Sequence, residues 1–598
     1  MNRTFWIGLL FVLSCLCMAS HAGTEFLWAK RAGGMGYDCS YAVAIDSESN
    51  TFITGIFTGS AEFGEPGDPD FIQLVACGWD NMFVAKLDAN GRYLWARKAG
   101  GVNSDYSYDI AVDPVGSAYI TGTFIGTADF GVPGEPGYTR LVSPWGTDIF
   151  IAKLDGDGHF LWARMAGGMA CNGSKSIAVD AYGNAYITGY FLGTADFGEP
   201  GEPGYTQLIS SGMDDVFVAK LDGNGAFLWA RRAGGVDYEE GAAIAVATSG
   251  NTTITGLFTG TADFGEPGEP GYTQLVATGQ KDIFIAGLDG NGHFLWARQA
   301  GGADCEYSRD IALDTTGAAY VTGYFAGTAD FGVPGEPGYN QLVSAGVDDV
   351  FVTKLDAAGH FLWARRAGGV EYAYGRGIAA CATSGCLITG FFLGNAEFGE
   401  PGTPGYTQLD SAGYFDLFTA RLDGDGHFVW ALRAGGADYD NSCSIAAGPW
   451  GHYYITGNFE GATVLGGPDG SARIQLASHG GQDAYIAGYC DTTTVLVLDS
   501  FTASGQGHTV AVNWTTRDEP DLYGFWLYRL VGKKVSPYVS YAPVLLHDTI
   551  IPGCGAPGSG YAYSFTDQVK PGGRYFYILT AESNHGQSVD FKTRLQWR

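Results

Sequence analysis

A column of acidic residues recurs every 67 positions along the chain: Asp38, Asp105, Asn172, Glu239, Glu306, Ala373 and Asp440, with carboxylates at five of the seven places. Tyrosines flank it at Tyr37, Tyr106, Tyr238, Tyr307, Tyr372, Tyr374 and Tyr439. Carboxylates beside aromatic faces suit a cation, a basic peptide or a sugar, since the ring face attracts positive charge and offers a flat apolar surface. The same column offers a second chemistry. Two carboxyls about 5–10 Å apart can serve as acid and base on a glycosidic bond, which makes Asp105 with Glu239 or Glu306 the candidates for a polysaccharide hydrolase or lyase. Loop residues that merely solvate and pack the surface would carry the same types. The leading expectation is a non-catalytic binding module.

Other motifs carry less. The turns Asp155-Gly-Asp-Gly158, Asp222-Gly-Asn-Gly225, Asp289-Gly-Asn-Gly292 and Asp423-Gly-Asp-Gly426 share the opening of a calcium loop. A calcium loop needs further oxygen ligands ending in a bidentate carboxylate, and here an apolar strand follows at once. Hairpin turns explain the residues equally well, so calcium stays open as a ligand, no metal site is assigned and no cofactor is expected. His159, His293, His360 and His427 form a column too dispersed to share a zinc ion. No Gly-x-Ser-x-Gly elbow and no His-Glu-x-x-His occurs. Loops such as Gly198-Glu-Pro-Gly-Glu-Pro-Gly204 read as stiff turns with an acidic rim at Glu199, Glu202, Glu266 and Glu269.

The elements that position these residues follow from a second column. Trp28, Trp95, Trp162, Trp229, Trp296, Trp363 and Trp430 stand 67 residues apart, each inside Phe-Leu-Trp-Ala, Tyr-Leu-Trp-Ala or Phe-Val-Trp-Ala. A fixed period means one supersecondary unit repeated because it cannot bury its apolar surface alone. In the third copy, Ser176–Asp180, Ala185–Gly189, Asp215–Asp222 and Phe227–Arg231 are short runs rich in Val, Ile, Phe and Tyr, bounded by Gly, Asn or Asp. They read as a four-stranded antiparallel meander. Both faces of each strand are apolar, so each sheet must lie between two others, as in a seven-bladed β-propeller. The chain enters on a lone Phe26-Leu-Trp-Ala29 strand and the array stops at Ala484–Tyr489 without its last strand; the two halves complete one blade and remove both sheet edges. The variable stretch after each Ala-Gly-Gly then sits at the mouth of the central channel.

The recurring Ala-Gly-Gly, Ile-Ala-Val-Asp-x-x-Gly-Asn, Tyr-Ile-Thr-Gly-x-Phe-x-Gly-Thr-Ala-Asp-Phe-Gly and Asp-x-Phe-Ile-Ala-Lys-Leu-Asp resemble the bacterial beta-propeller repeat family called SBBP, from Glu25 to about Tyr489. The resemblance implies the propeller fold and an exported protein, but no activity. The seventh copy departs most, with Gly448 for the repeat Asp, Cys490 for the strand-ending Asp, and no Glu-Pro-Gly loop.

The domain reading is a signal peptide at 1–22, a propeller at 23–490, a linker at 491–498 and a β-sandwich at 499–598. The last, with Trp514, Tyr575 and Tyr577 on its strands, is similar to a fibronectin type III domain. Arg3, an apolar run from Phe5 to Met18, and Ser20 with Ala22 give the signal; the run is too short to span a bilayer, so the mature chain should be secreted or held at the cell surface without a membrane span. Cysteines share no spacing, except that Cys381 and Cys386 flank a turn and could face each other as a disulfide. A net charge of −30 with 33 thinly spread Lys and Arg excludes a nucleic-acid partner and favours cations or basic partners. A glycan or a surface or extracellular protein remains the expected partner of a monomer.

Overall fold

The computed structural model describes residues 24–596, apart from 382–383, 449–450, 468–472, 492–496 and the loops between the C-terminal strands. The expected signal peptide and most of the expected linker lie outside the described residues. Those described are all-β, with no helix among them.

In the third repeat the strands Asn172–Val179, Ala185–Phe191, Asp215–Leu221 and Phe227–Gly235 pair antiparallel in chain order. The first hairpin is set by Asp180, whose Oδ1 accepts the N–H groups of Tyr182 and Asn184, both at 2.9 Å, and by Gly183 at φ 79°, a conformation that favours glycine. An outer hairpin, Thr194–Phe197 with Thr206–Ile209, lies between the second and third strands and pairs with the end of the preceding repeat's last strand, Ala195 opposite Gly168. In the first two repeats the second and third strands run straight into this hairpin, giving Thr51–Phe63 with Ile72–Leu87 and Ala118–Phe130 with Thr139–Leu154. Antiparallel sheets of this kind recur along the chain as propeller-like repeats.

The tryptophan column joins one repeat to the next. Trp95 Nε1 donates to the Gly156 carbonyl at 3.0 Å, and Trp162 and Trp363 make the same bond to Gly223 and Gly424. The ring lies against the turn glycine of the following repeat, so a Cβ on Gly158 would come within 2.7 Å of Trp95. Each core therefore mixes two repeats: Tyr119, Ile149 and Trp162 pack with Ile177, Phe191 and Phe217. Such cores cannot form from one copy.

The entering strand Thr24–Gly33 pairs with Asp483–Asp491, Trp28 opposite Gly488, and its Phe26 and Trp28 are buried against Tyr489 and Tyr454. The first strands of the repeats are Cys39–Ile45, Tyr106–Val112, Asn172–Val179, Glu239–Val246, Glu306–Leu313, Ala373–Ala380 and Asp440–Ala447. Each lies beside the next, and the seventh lies beside the first. Val43 N–H donates to Ser444 Oγ at 3.4 Å across that last junction.

C-terminal to the repeats, Val497–Gln506, Thr509–Asp518 and Ala562–Gln568 form one antiparallel sheet. Tyr538–Leu545, Leu522–Val535, Arg574–Ser583 and Ser588–Gln596 form another, with Ile551–Pro552 paired to Leu522–Val535.

The expected disulfide is absent: Cys381 and Cys386 are free, buried thiols. The register explains the correction. Ala380 is opposite Cys386, and the Cys381 N–H bonds the Gly385 carbonyl, so the cysteines are offset by one residue. Successive residues point to opposite faces, and Cys386 packs with Ile388 and Phe418 while Cys381 packs with Trp430 and Tyr453.

Candidate functional site

The acidic column does not line an open mouth. Asp38, Asp105, Asn172, Glu239, Glu306 and Asp440 are all buried, at 0–1% exposure. Each carboxylate reaches back to the glycine corner at the end of the tryptophan strand before it. Gly34, Gly101, Gly235, Gly302 and Gly436 donate backbone N–H groups to Asp38, Asp105, Glu239, Glu306 and Asp440 at 2.6–3.1 Å. Asp105, Glu239 and Glu306, the candidate acid and base, are thus each buried on a backbone N–H in a different repeat.

Behind that column stands a second set of buried groups, at the start of each third strand. A Cβ on Gly234 would fall 2.7 Å from Glu239 Oε2 and 2.9 Å from Asp215 Cγ, so the bare glycine admits both carboxyls. The like charges are offset differently from repeat to repeat. Arg31 bonds Asp483 at 3.0 Å and Arg232 bonds Asp215 at 2.7 Å, and Arg433 bonds Asp416 in the same way. Where the column holds Asn172, its amide donates to Asp148 at 3.1 Å; where it holds Asp105, Asn81 takes the partner place. Arg366 bonds Asp349 at 2.7 Å beside Ala373. Where the fourth repeat meets the fifth, Asp282 accepts from the neutral Gln299 at 2.6 Å and from the Thr278 hydroxyl at 2.8 Å, beside Glu306. Burial first, then the neighbouring Asp215 and Asp282, push Glu239 and Glu306 up to about 8. Burial likewise raises Asp38 and Asp440 to about 7, and Asp105 to about 6.

The channel is lined instead by a column the alternation of apolar residues does not reveal. Every first strand has a bulge at one place, between Ser40 and Ala42 in the first repeat and between Ser442 and Ser444 in the seventh. The residues left unpaired are Tyr41, Tyr108, Lys175, Ala242, Arg309, Arg376 and Cys443. A bulge re-aims its extra side chain, and all seven line a central cavity of about 490 Å³ together with Tyr37, Cys39, Glu240, Tyr439, Asn441, Asn458 and Gln482. The signal available in the sequence is that this column, unlike the core columns, is different in nearly every copy.

Among the charged groups lining that cavity three are basic and one is acidic. Lys175 lies 3.4 Å from Glu240 and 4.8 Å above the Tyr108 ring. Arg309 donates to the Tyr324 hydroxyl at 2.8 Å and stacks over Tyr307 and Tyr324, and Arg376 lies 5.5 Å from the Phe391 ring. The Nε atoms of Arg309 and Arg376 are buried without a hydrogen-bond partner. The wall is thus cationic inside a protein of net charge −30.

The predicted tyrosines divide between mouth and wall. Tyr106 donates to Asp80 at 3.1 Å and Tyr238 to Glu240 at 2.6 Å. Tyr307 stacks on Tyr324 at 4.9 Å, and Tyr372 on Tyr374 at 5.9 Å. Tyr439 packs against Phe391 and Phe415, and Tyr37 is half-exposed. Sequence reading missed the rim above them. The residue after each Ala-Gly-Gly is exposed and apolar at Met35, Val102, Met169, Val236 and Val370, and Trp79 and Trp145 are 75% and 70% exposed. Met213 N–H bonds the Val236 carbonyl and Tyr414 N–H the Ala437 carbonyl, so two apolar columns meet between repeats. The column histidines sit outside this site, each within 2.9–3.2 Å of the aspartate of its own exposed turn. Those aspartates spend their other oxygen on backbone N–H groups, as Asp155 does on Asp157 and His159.

A family model described as a beta-propeller repeat matches residues 94–123, from the tryptophan strand into the second strand of the second repeat. An uncharacterized WD repeat-containing protein of Acanthamoeba polyphaga mimivirus is 23% identical over 543 residues, which is 79% of this chain and 39% of that protein. The regulatory protein FlaEY of Caulobacter vibrioides is 27% identical over 166 residues, 28% of this chain and 16% of its own length. The chain thus spans well under half of either relative. A crystal structure of a DUF4221 family member from Bacteroides vulgatus is 9% identical, at a TM-score of 0.25, over 62% of this chain and 93% of its own.

Proposed function

We propose that the protein is an exported, non-catalytic binding module: a closed seven-bladed β-propeller, latched by its entering strand and followed by a fibronectin type III-like sandwich. Its channel mouth takes an acidic loop or chain end of a partner protein. The single observation that carries this reading is the cavity built from seven bulges, with Lys175, Arg309 and Arg376 against one carboxylate. Desolvated guanidinium groups with unused donors are matched by carboxylates, not by cations. The apolar rim of Trp79, Trp145, Met169 and Met213 has the composition of a protein-binding surface. Pairing of Thr24–Gly33 with Asp483–Asp491 supports closure. The C-terminal strand order, first-second-sixth and fourth-third-seventh-eighth, supports the sandwich.

Calorimetric titration of the chain from Gly23 onward with oligoglutamate, oligolysine and oligogalacturonate tests the reading. Saturable binding of oligoglutamate alone is expected. Preference for oligogalacturonate would reassign the site to an acidic glycan, and preference for oligolysine would overturn it.

A further inference from the structure

Two cysteines meet where the last repeat adjoins the first. Cys443 is the bulge residue of the seventh repeat, and Cys39 follows the acidic column of the first; both line the central cavity. The two thiols converge on Asn458 Oδ1 across the junction, Cys39 Sγ at 3.2 Å and Cys443 Sγ at 3.9 Å, and Asn458 is itself fixed by its amide on Gln482 at 2.6 Å. The same two positions meet at another junction: between the third and fourth repeats they hold Lys175 and Glu240, 3.4 Å apart.

We propose that Cys39 and Cys443 form a dithiol that is oxidised to a disulfide joining the first and last repeats, and that this bond fastens the junction covalently. The Arg376 guanidinium of the neighbouring bulge stabilises negative charge on both sulfurs, and the adjoining Cys39 holds Cys443 below the usual thiol range. Burial pushes Cys39 up, so Cys443, which is half-buried at the channel wall, is the attacking group. Its thiolate attacks one sulfur of a small external disulfide and expels one thiol. The Cys39 thiolate then attacks Cys443 Sγ of the mixed disulfide and expels the second. The protein loses two electrons and two protons, and the external disulfide gains them as two thiols.

The test is exposure of the reduced full chain to hydroxyethyl disulfide, then mass mapping without reductant. A cross-linked peptide pair containing Cys39 and Cys443 is expected, with faster migration on a non-reducing gel because the bond closes a loop of most of the repeats. Cys443→Ser and Cys39→Ser should each abolish both signals, and oxidation should raise the melting temperature of the parent but not of Cys443→Ser. A mixed disulfide on Cys443 that never resolves, or bridging confined to Cys77, Cys171 or Cys305, would overturn the proposal. Because no acidic ligand is used, this outcome is independent of the channel's binding partner.

Discussion

Lys175 and Glu240 meet at 3.4 Å, a bulge residue of one repeat against the first strand of the next. The channel wall is therefore a set of contacts between repeats, each made by two side chains that the core does not use. Variation in the wall leaves the core intact, which is how near-identical repeats can carry a site built from five residue types in seven places.

The tryptophans separate core from rim. Trp95 is buried and bonded to the next repeat, so Trp95→Ala should cost about 3–5 kcal/mol in urea unfolding. Trp79 is 75% exposed, and Trp79→Ser should stay within about 0.5 kcal/mol of the parent. Equal losses would mean the rim is packed rather than free.

The entering strand should behave as part of the array. Trp28 is buried on Tyr454 and donates to the Ala89 carbonyl at 3.0 Å, so Trp28→Ala should cost about as much as Trp95→Ala, roughly 3–5 kcal/mol. A loss below about 1 kcal/mol, measured in the same way, would mean that this strand frays before the array unfolds.

Buried acids give the protein a pH signature. Glu306 titrates near 8 when folded, above its ordinary value of 4.5. The native state therefore holds a proton that the unfolded chain releases, and the stabilisation present below about pH 4.5 is lost as pH rises through about 8. Melting temperatures should fall between pH 5 and pH 8, within that window. Glu306→Gln should flatten the fall, because an amide keeps the Gly302 donor company without charge. An unchanged slope would show that Glu306 is not the proton holder.

The period, the tryptophan column and the pairing of the entering strand with Asp483–Asp491 are legible in the sequence because core packing repeats its residue types at fixed places. The acidic column is legible as a column but not as buried: the glycine corner that encloses Asp38 or Glu239 is made by backbone folding that residue types do not reveal. The bulge is invisible to alternation, since one extra residue reverses the face of everything after it, and Arg309 and Arg376 then point where a regular strand would place their neighbours. Net charge does not report the wall for another reason. It sums the whole surface, whereas the cavity is lined by Lys175, Arg309 and Arg376 with Glu240.

The most direct measurement of the central claim compares oligoglutamate affinity of the parent with that of Arg309→Gln/Arg376→Gln at two salt concentrations. A loss of ten-fold or more in the double variant, with weaker salt dependence and unchanged melting, is the predicted result. Equal affinity in the two proteins would contradict a cationic channel as the binding site.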